Sequence, residues 1–102
     1  MADTPEKKVK KQLTAQLKAL GAYYFYPVTS GYGASGVPDV ICCYKGRFFG
    51  FECKAGKNKP TALQDVNIGA IRNAGGFAIV VDEENVGLMR DYVISATNDP
   101  AE

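Results

Sequence analysis

Two apolar runs, 40–44 (VICCY) and 47–51 (RFFGF), are separated only by Lys45-Gly46. A connection of two residues, with a glycine that tolerates positive φ, commits such runs to an antiparallel hairpin. The turn fixes the register. Tyr44 faces Arg47, Ile41 faces Gly50, Val40 faces Phe51, and one step further Asp39 falls opposite Glu52. In a regular pair the Cβ atoms of such partners lie roughly 4.5–5.5 Å apart. Because side chains alternate between faces, Lys54 points the same way as Glu52, and Cys53 the other way.

Two ionised carboxylates at that separation repel by about 3 kcal/mol at an effective dielectric near 20. A hairpin that only had to fold would avoid the pairing, and a bound divalent cation reverses its sign. Oxygen donors without nitrogen or sulfur partners suit Mg²⁺ or Mn²⁺, which take one or two carboxylates and fill the remaining positions with water and phosphate oxygens. The Cys53 side chain faces away, but its backbone carbonyl is available as a third ligand beside Asp39 and Glu52. The alternative is a plain salt bridge between Lys54 and Glu52, with Asp39 at a strand entrance after Pro38. The apolar flanks of the hairpin favour the site, because they set the charges against a buried background.

The 102 residues suffice for one domain, spanning 1–102, with one modest core. The chain has no histidine, which removes Ser-His-Asp chemistry and histidine-ligated zinc. Water activation must come from a metal, a carboxylate or a lysine. Three cysteines, two of them adjacent at Cys42 and Cys43, form neither an even disulfide framework nor a zinc motif, and read as reduced, mostly buried apolar residues. No apolar run reaches membrane-spanning length and no signal peptide is recognisable, so a cytoplasmic protein without a membrane partner is expected. Charge is divided unevenly. Through Pro60 there are ten basic against four acidic residues, and after it two against seven. The basic half is the one holding the hairpin, as a polyanionic partner requires, although a solvated lysine-rich helix face explains the first lysines equally well.

Thr4 and Pro5 open a first helix whose apolar stripe is Val9, Leu13, Leu17 and Leu20 and which Gly21 ends. Glu6 lies on that stripe, either as a helix-start carboxylate or as a third acid directed at the hairpin. Ala22 to Val28 reads as an aromatic strand, followed by a Gly- and Ser-rich loop over Thr29 to Gly36. The loop contains a literal G-x-G-x-x-G at 31–36, yet a strand rather than a helix follows it, and no GK[ST] is present. A nucleotide cofactor is therefore not expected. After a basic loop over Gly56 to Pro60, Thr61 to Ala74 forms a helix whose Thr61 and Gln64 make a capping box. Gln64 also lies within the first turn beyond Lys54, where its amide can meet an attacking water or a phosphate. Phe77 to Val81 is a buried strand, Asn85 to Ala96 a closing amphipathic helix, and Asn98 to Glu102 a frayed end.

Taken together, Glu6, Ser35-Gly36-Val37-Pro38-Asp39, Glu52-Cys53-Lys54 and Lys59-Pro60-Thr61-Ala62-Leu63-Gln64 resemble a stand-alone, phage-type VRR-NUC domain of the PD-(D/E)xK nuclease superfamily. The resemblance spans nearly the whole chain. It implies an α/β restriction-endonuclease-like αβββαβ core, with a mixed central sheet flanked by helices, and Mg²⁺- or Mn²⁺-dependent hydrolysis of DNA phosphodiester bonds. Small members are similar to Holliday-junction resolvases and act as homodimers, so branched or duplex DNA and a second copy are the implied partners. Carried over by position, Asp39 and Glu52 become metal ligands, Lys54 the water-orienting cation, and Glu6 and Gln64 supporting residues. Tyr23, Tyr24, Tyr26 or the last helix are candidates for the dimer interface. The competing reading is a non-catalytic branched-DNA-binding module of the same fold.

Overall fold

The protein's computed structural model describes residues 3–28 and 36–98. Its elements run α1 (Pro5–Leu20), β1 (Tyr23–Phe25), β2 (Val40–Tyr44), β3 (Arg47–Cys53), α2 (Ala62–Asn73), β4 (Phe77–Val81), a 3₁₀ turn (Val86–Leu88) and α3 (Met89–Asn98). The strands form one sheet in the order β1-β2-β3-β4. β1 and β2 pair antiparallel, as do β2 and β3, while β3 and β4 run parallel across the α2 crossover. This is the mixed, helix-flanked α/β arrangement that the sequence implies. No helix among the described residues is long and apolar enough to cross a membrane.

The hairpin register is the expected one, from Tyr44↔Arg47 through Val40↔Phe51. Lys45 and Gly46 both take positive φ, 49° and 79°, the twist that a two-residue connection needs. Alternation then divides the sheet. Phe49, Phe51 and Cys53 pack with Val40, Cys42 and Val81 against Val9, Leu13 and Leu17 of α1 and Met89, Val93 and Ala96 of α3. Phe49, Phe77 and Tyr92 form an aromatic cluster within this layer, with Phe49 and Phe77 stacked at 5.3 Å. Gly50 points to the opposite layer. A Cβ there would lie 2.8 Å from the Ile71 Cδ1 of α2 and 2.9 Å from the Pro38 Cγ, so glycine lets both rest directly on the sheet.

Helix boundaries follow the local chemistry. The Thr4 hydroxyl accepts from the Lys7 amide at the start of α1, and Gly21, at φ 77°, ends it. In α2 both bonds of the Thr61–Gln64 capping box are made.

Several boundaries differ from expectation. β1 covers only Tyr23–Phe25 rather than residues 22–28, and β3 runs on through Glu52 and Cys53, because β4 supplies a parallel partner that reaches Val81. The closing helix does not begin at Asn85. The Asp82 carboxylate accepts from the Glu84 and Asn85 amides, while the Asn85 side chain accepts from the Asp82 amide and donates to the Val80 carbonyl. This mutual turn consumes Asn85, and a 3₁₀ turn intervenes before α3. The glycine-rich loop, apart from Gly36, and the end beyond Asn98 lie outside the described residues.

Candidate active site

The ladder of β2 ends at Val40, and the Asp39 side chain continues it. Its Oδ2 accepts from the Cys53 amide at 2.9 Å, so one carboxylate oxygen takes the place that a strand carbonyl would fill. Two approaches hold the Pro38-Asp39 turn in place. Pro38 lies over Gly50, and Gly36, at φ 77°, brings its Cα so close to α2 that a Cβ would stand 2.8 Å from the Leu63 backbone. Asp39 is thereby pinned beside Glu52 and close to the first turn of α2.

Glu52 is only 1% exposed, the one buried carboxylate among the described residues. Its Oε2 lies 3.5 Å from the Lys54 Nζ, and its Oε1 is buried with no hydrogen-bond partner. Burial, and next the Asp39 carboxylate, push its pKa up to about 7, against the opposing pull of Lys54. A buried carboxylate oxygen without a donor costs on the order of 1–3 kcal/mol unless something meets it. The donor set is hard and oxygen-rich, and the carboxylate that carries the orphaned oxygen has the Asp39 acid as its neighbour: both features fit a divalent cation.

Among the described residues no cluster of three or more Asp, Glu, Cys or His side chains is placed to hold a metal. The fit therefore rests on two carboxylates, with main chain and water completing the coordination, as Mg²⁺ tolerates. Cys53 offers only its backbone carbonyl. Burial, then the Asp39 charge, raise its thiol to about 12, and burial raises that of Cys42 to about 12, so neither is a thiolate. All three cysteines are free and two of them are buried, as expected for most of the set; Cys43 is exposed because alternation turns it away from Cys42.

The other two candidates stand in the first turns of α1 and α2. Glu6 is half-buried and lines a cleft of about 420 Å³ with Pro5, Ala55, Gly56, Asn58 and Glu83. Its charge acts on the Cys53 thiol, on the α1 side of the sheet, whereas the charges that act on Glu52 are those of Asp39 and Lys54. Gln64 turns back on its own helix, its Oε1 accepting from the Thr61 amide at 2.9 Å, which leaves the Nε2 amide as its outward-going donor. The sequence reading missed Glu83. Both of its oxygens accept from the Gly56 amide, tying the basic loop after Lys54 to the end of β4. Its only signal was its place in the acidic run 82–84.

A solved structure described as a VRR_NUC domain is similar to this chain, with a TM-score of 0.70 and 25% sequence identity over 88% of this chain and 99% of that one. No family model matches the sequence, and neither does any curated protein. The chain thus has the VRR-NUC fold that its motifs led us to expect, and that likeness points to nuclease-type DNA processing.

Proposed function

We propose that this chain is a Mg²⁺- or Mn²⁺-dependent endonuclease that hydrolyses DNA phosphodiester bonds, selects branched DNA such as four-way junctions, and acts as a homodimer. The observation that carries the reading is the buried, unpartnered Glu52 Oε1 beside Asp39. Likeness to a VRR_NUC domain supports the reaction class. Asp39, Glu52 and the Cys53 carbonyl would hold the ion. When bound, it supplies a Lewis acid that lowers the pKa of water and polarises the scissile phosphate.

The chain's own residues do the rest. Lys54, largely buried and already paired with Glu52, is a preorganised cation that orients the attacking water and offsets charge developing on the phosphate. Gln64, with its oxygen committed to the cap, has its amide donor for the same water or a phosphate oxygen. Glu6 supports the site from the α1 side. One chain offers one such site, so paired cuts across a junction need two copies in symmetric arrangement. Tyr23, at 70% exposure, and Phe25 leave β1 open to that role, whereas Tyr24 packs on the core.

The test is cleavage of labelled four-way junction, flap, duplex and single-stranded DNA with Mg²⁺, Mn²⁺ or EDTA, by wild type and Asp39→Asn. An asparagine keeps an acceptor for the Cys53 amide while removing the charge. The expected outcome is metal-dependent, paired cutting of the junction by wild type, with cutting by the variant reduced at least a thousandfold and DNA binding retained. Binding without cutting under every metal would favour the non-catalytic module instead.

A further inference from the structure

Lys7, Lys10 and Lys11 lie at helical spacing on one face of α1, and with Tyr26 they line a cavity of about 210 Å³. The Tyr26 ring is held from two sides. Tyr24 meets it edge-on at 6.2 Å, and the Lys10 Nζ lies 5.5 Å from its centroid. It is nevertheless 49% exposed. Asp3 pairs with Lys11 at 2.6 Å and approaches Lys7 at 4.0 Å, offsetting one of the three cations and leaving the cavity positive.

Continuing the β1–β2 register by one residue sets Tyr26 against Val40, next to Asp39. A positive groove with a fixed, half-exposed aromatic ring is the combination that binds unpaired nucleotides, the cations taking phosphates and the ring a base face. A duplex buries its base faces, so it can use the lysines but not the ring.

We propose that Tyr26, with Lys7, Lys10 and Lys11, is a stacking site for an unpaired nucleotide, which makes a single-stranded segment part of the recognised substrate. This rests on the nuclease reading only for what happens to the strand after it binds. The experiment is fluorescence anisotropy in EDTA, where no metal-dependent cutting occurs, with a labelled single strand and its duplex, on wild type, Tyr26→Ala, Tyr26→Phe and Lys10→Gln. Circular dichroism and sedimentation verify fold and oligomeric state.

Tyr26→Ala is expected to weaken single-strand binding roughly tenfold, about 1.4 kcal/mol, and duplex binding less than about twofold, the ring being used only by unpaired bases. Tyr26→Phe should match wild type, and Lys10→Gln should weaken both DNAs. Unchanged single-strand binding by Tyr26→Ala, equal losses on both DNAs, or a change of oligomeric state in place of a binding loss would overturn the proposal. Its failure is separable from that of the nuclease reading. A wild type that binds single strands through Tyr26 but cuts nothing would sink the nuclease reading and keep this one; a wild type that cuts, with Tyr26→Ala binding normally, would do the reverse.

Discussion

Glu52 stands where a carboxylate is least favoured, at the end of a buried strand and beside another acid. Its consequence for stability has a definite sign. With the pKa raised from 4.5 to about 7, the folded state holds its proton where the unfolded chain has released it. Metal-free protein should therefore lose stability as pH rises from about 4.5 to about 7 and change little above that, the loss approaching about 3 kcal/mol. Urea unfolding in EDTA across this range should show the slope in wild type but not in Glu52→Gln; parallel curves would refute the assignment. At this scale the sequence was informative wherever counting along a strand suffices. Asp39, Glu52 and Lys54 were placed by the Lys45-Gly46 turn and by alternation alone. The orphaned Oε1 was not, because burial of a particular oxygen depends on what α2 and β4 stack around it.

Among the elements, the junction between the Pro38-Asp39 turn and α2 controls the site, and it is built on missing side chains. Gly36→Ala would impose a Cβ at positive φ and 2.8 Å from the Leu63 backbone, which cannot swing aside as a side-chain tip can. Gly46 shares the positive φ but faces open space. The expected result is a loss of about 1 kcal/mol for Gly46→Ala, from backbone conformation alone, and about 2–4 kcal/mol for Gly36→Ala, where overpacking adds to it. Chemical denaturation measures both, and equal losses would mean that the loop does not bear on α2. The hairpin and both capped helices were legible because their signals are local: a two-residue turn, Thr4-Pro5, and Thr61 with Gln64. The start of α3 was not. The Asp82–Asn85 turn and the carbonyl of Val80 compete for the residue that helical periodicity assigned to the helix. β1 was read as a strand but too long, for a similar reason, since an aromatic run does not show how much of it finds a partner strand.

In the molecule as a whole, the sheet separates two tasks. One layer, with α1 and α3, is an aliphatic and aromatic core; the other places the hairpin acids under α2, and the basic start of α1 borders the same end of the sheet. Uneven charge along the chain had already assigned the basic residues to the hairpin half, but only folding brings Lys10 and Tyr26 together, because 16 positions of sequence separate them. The claim on which the account depends is that the Asp39–Glu52 pair is a cation site. The most direct measurement is calorimetric titration of Mn²⁺ into wild type, Asp39→Asn and Glu52→Gln at pH 7. The account predicts one site per chain in wild type, with proton release as Glu52 ionises on binding, and affinity at least tenfold weaker in both variants. Mn²⁺ binding of equal strength in all three proteins would contradict it.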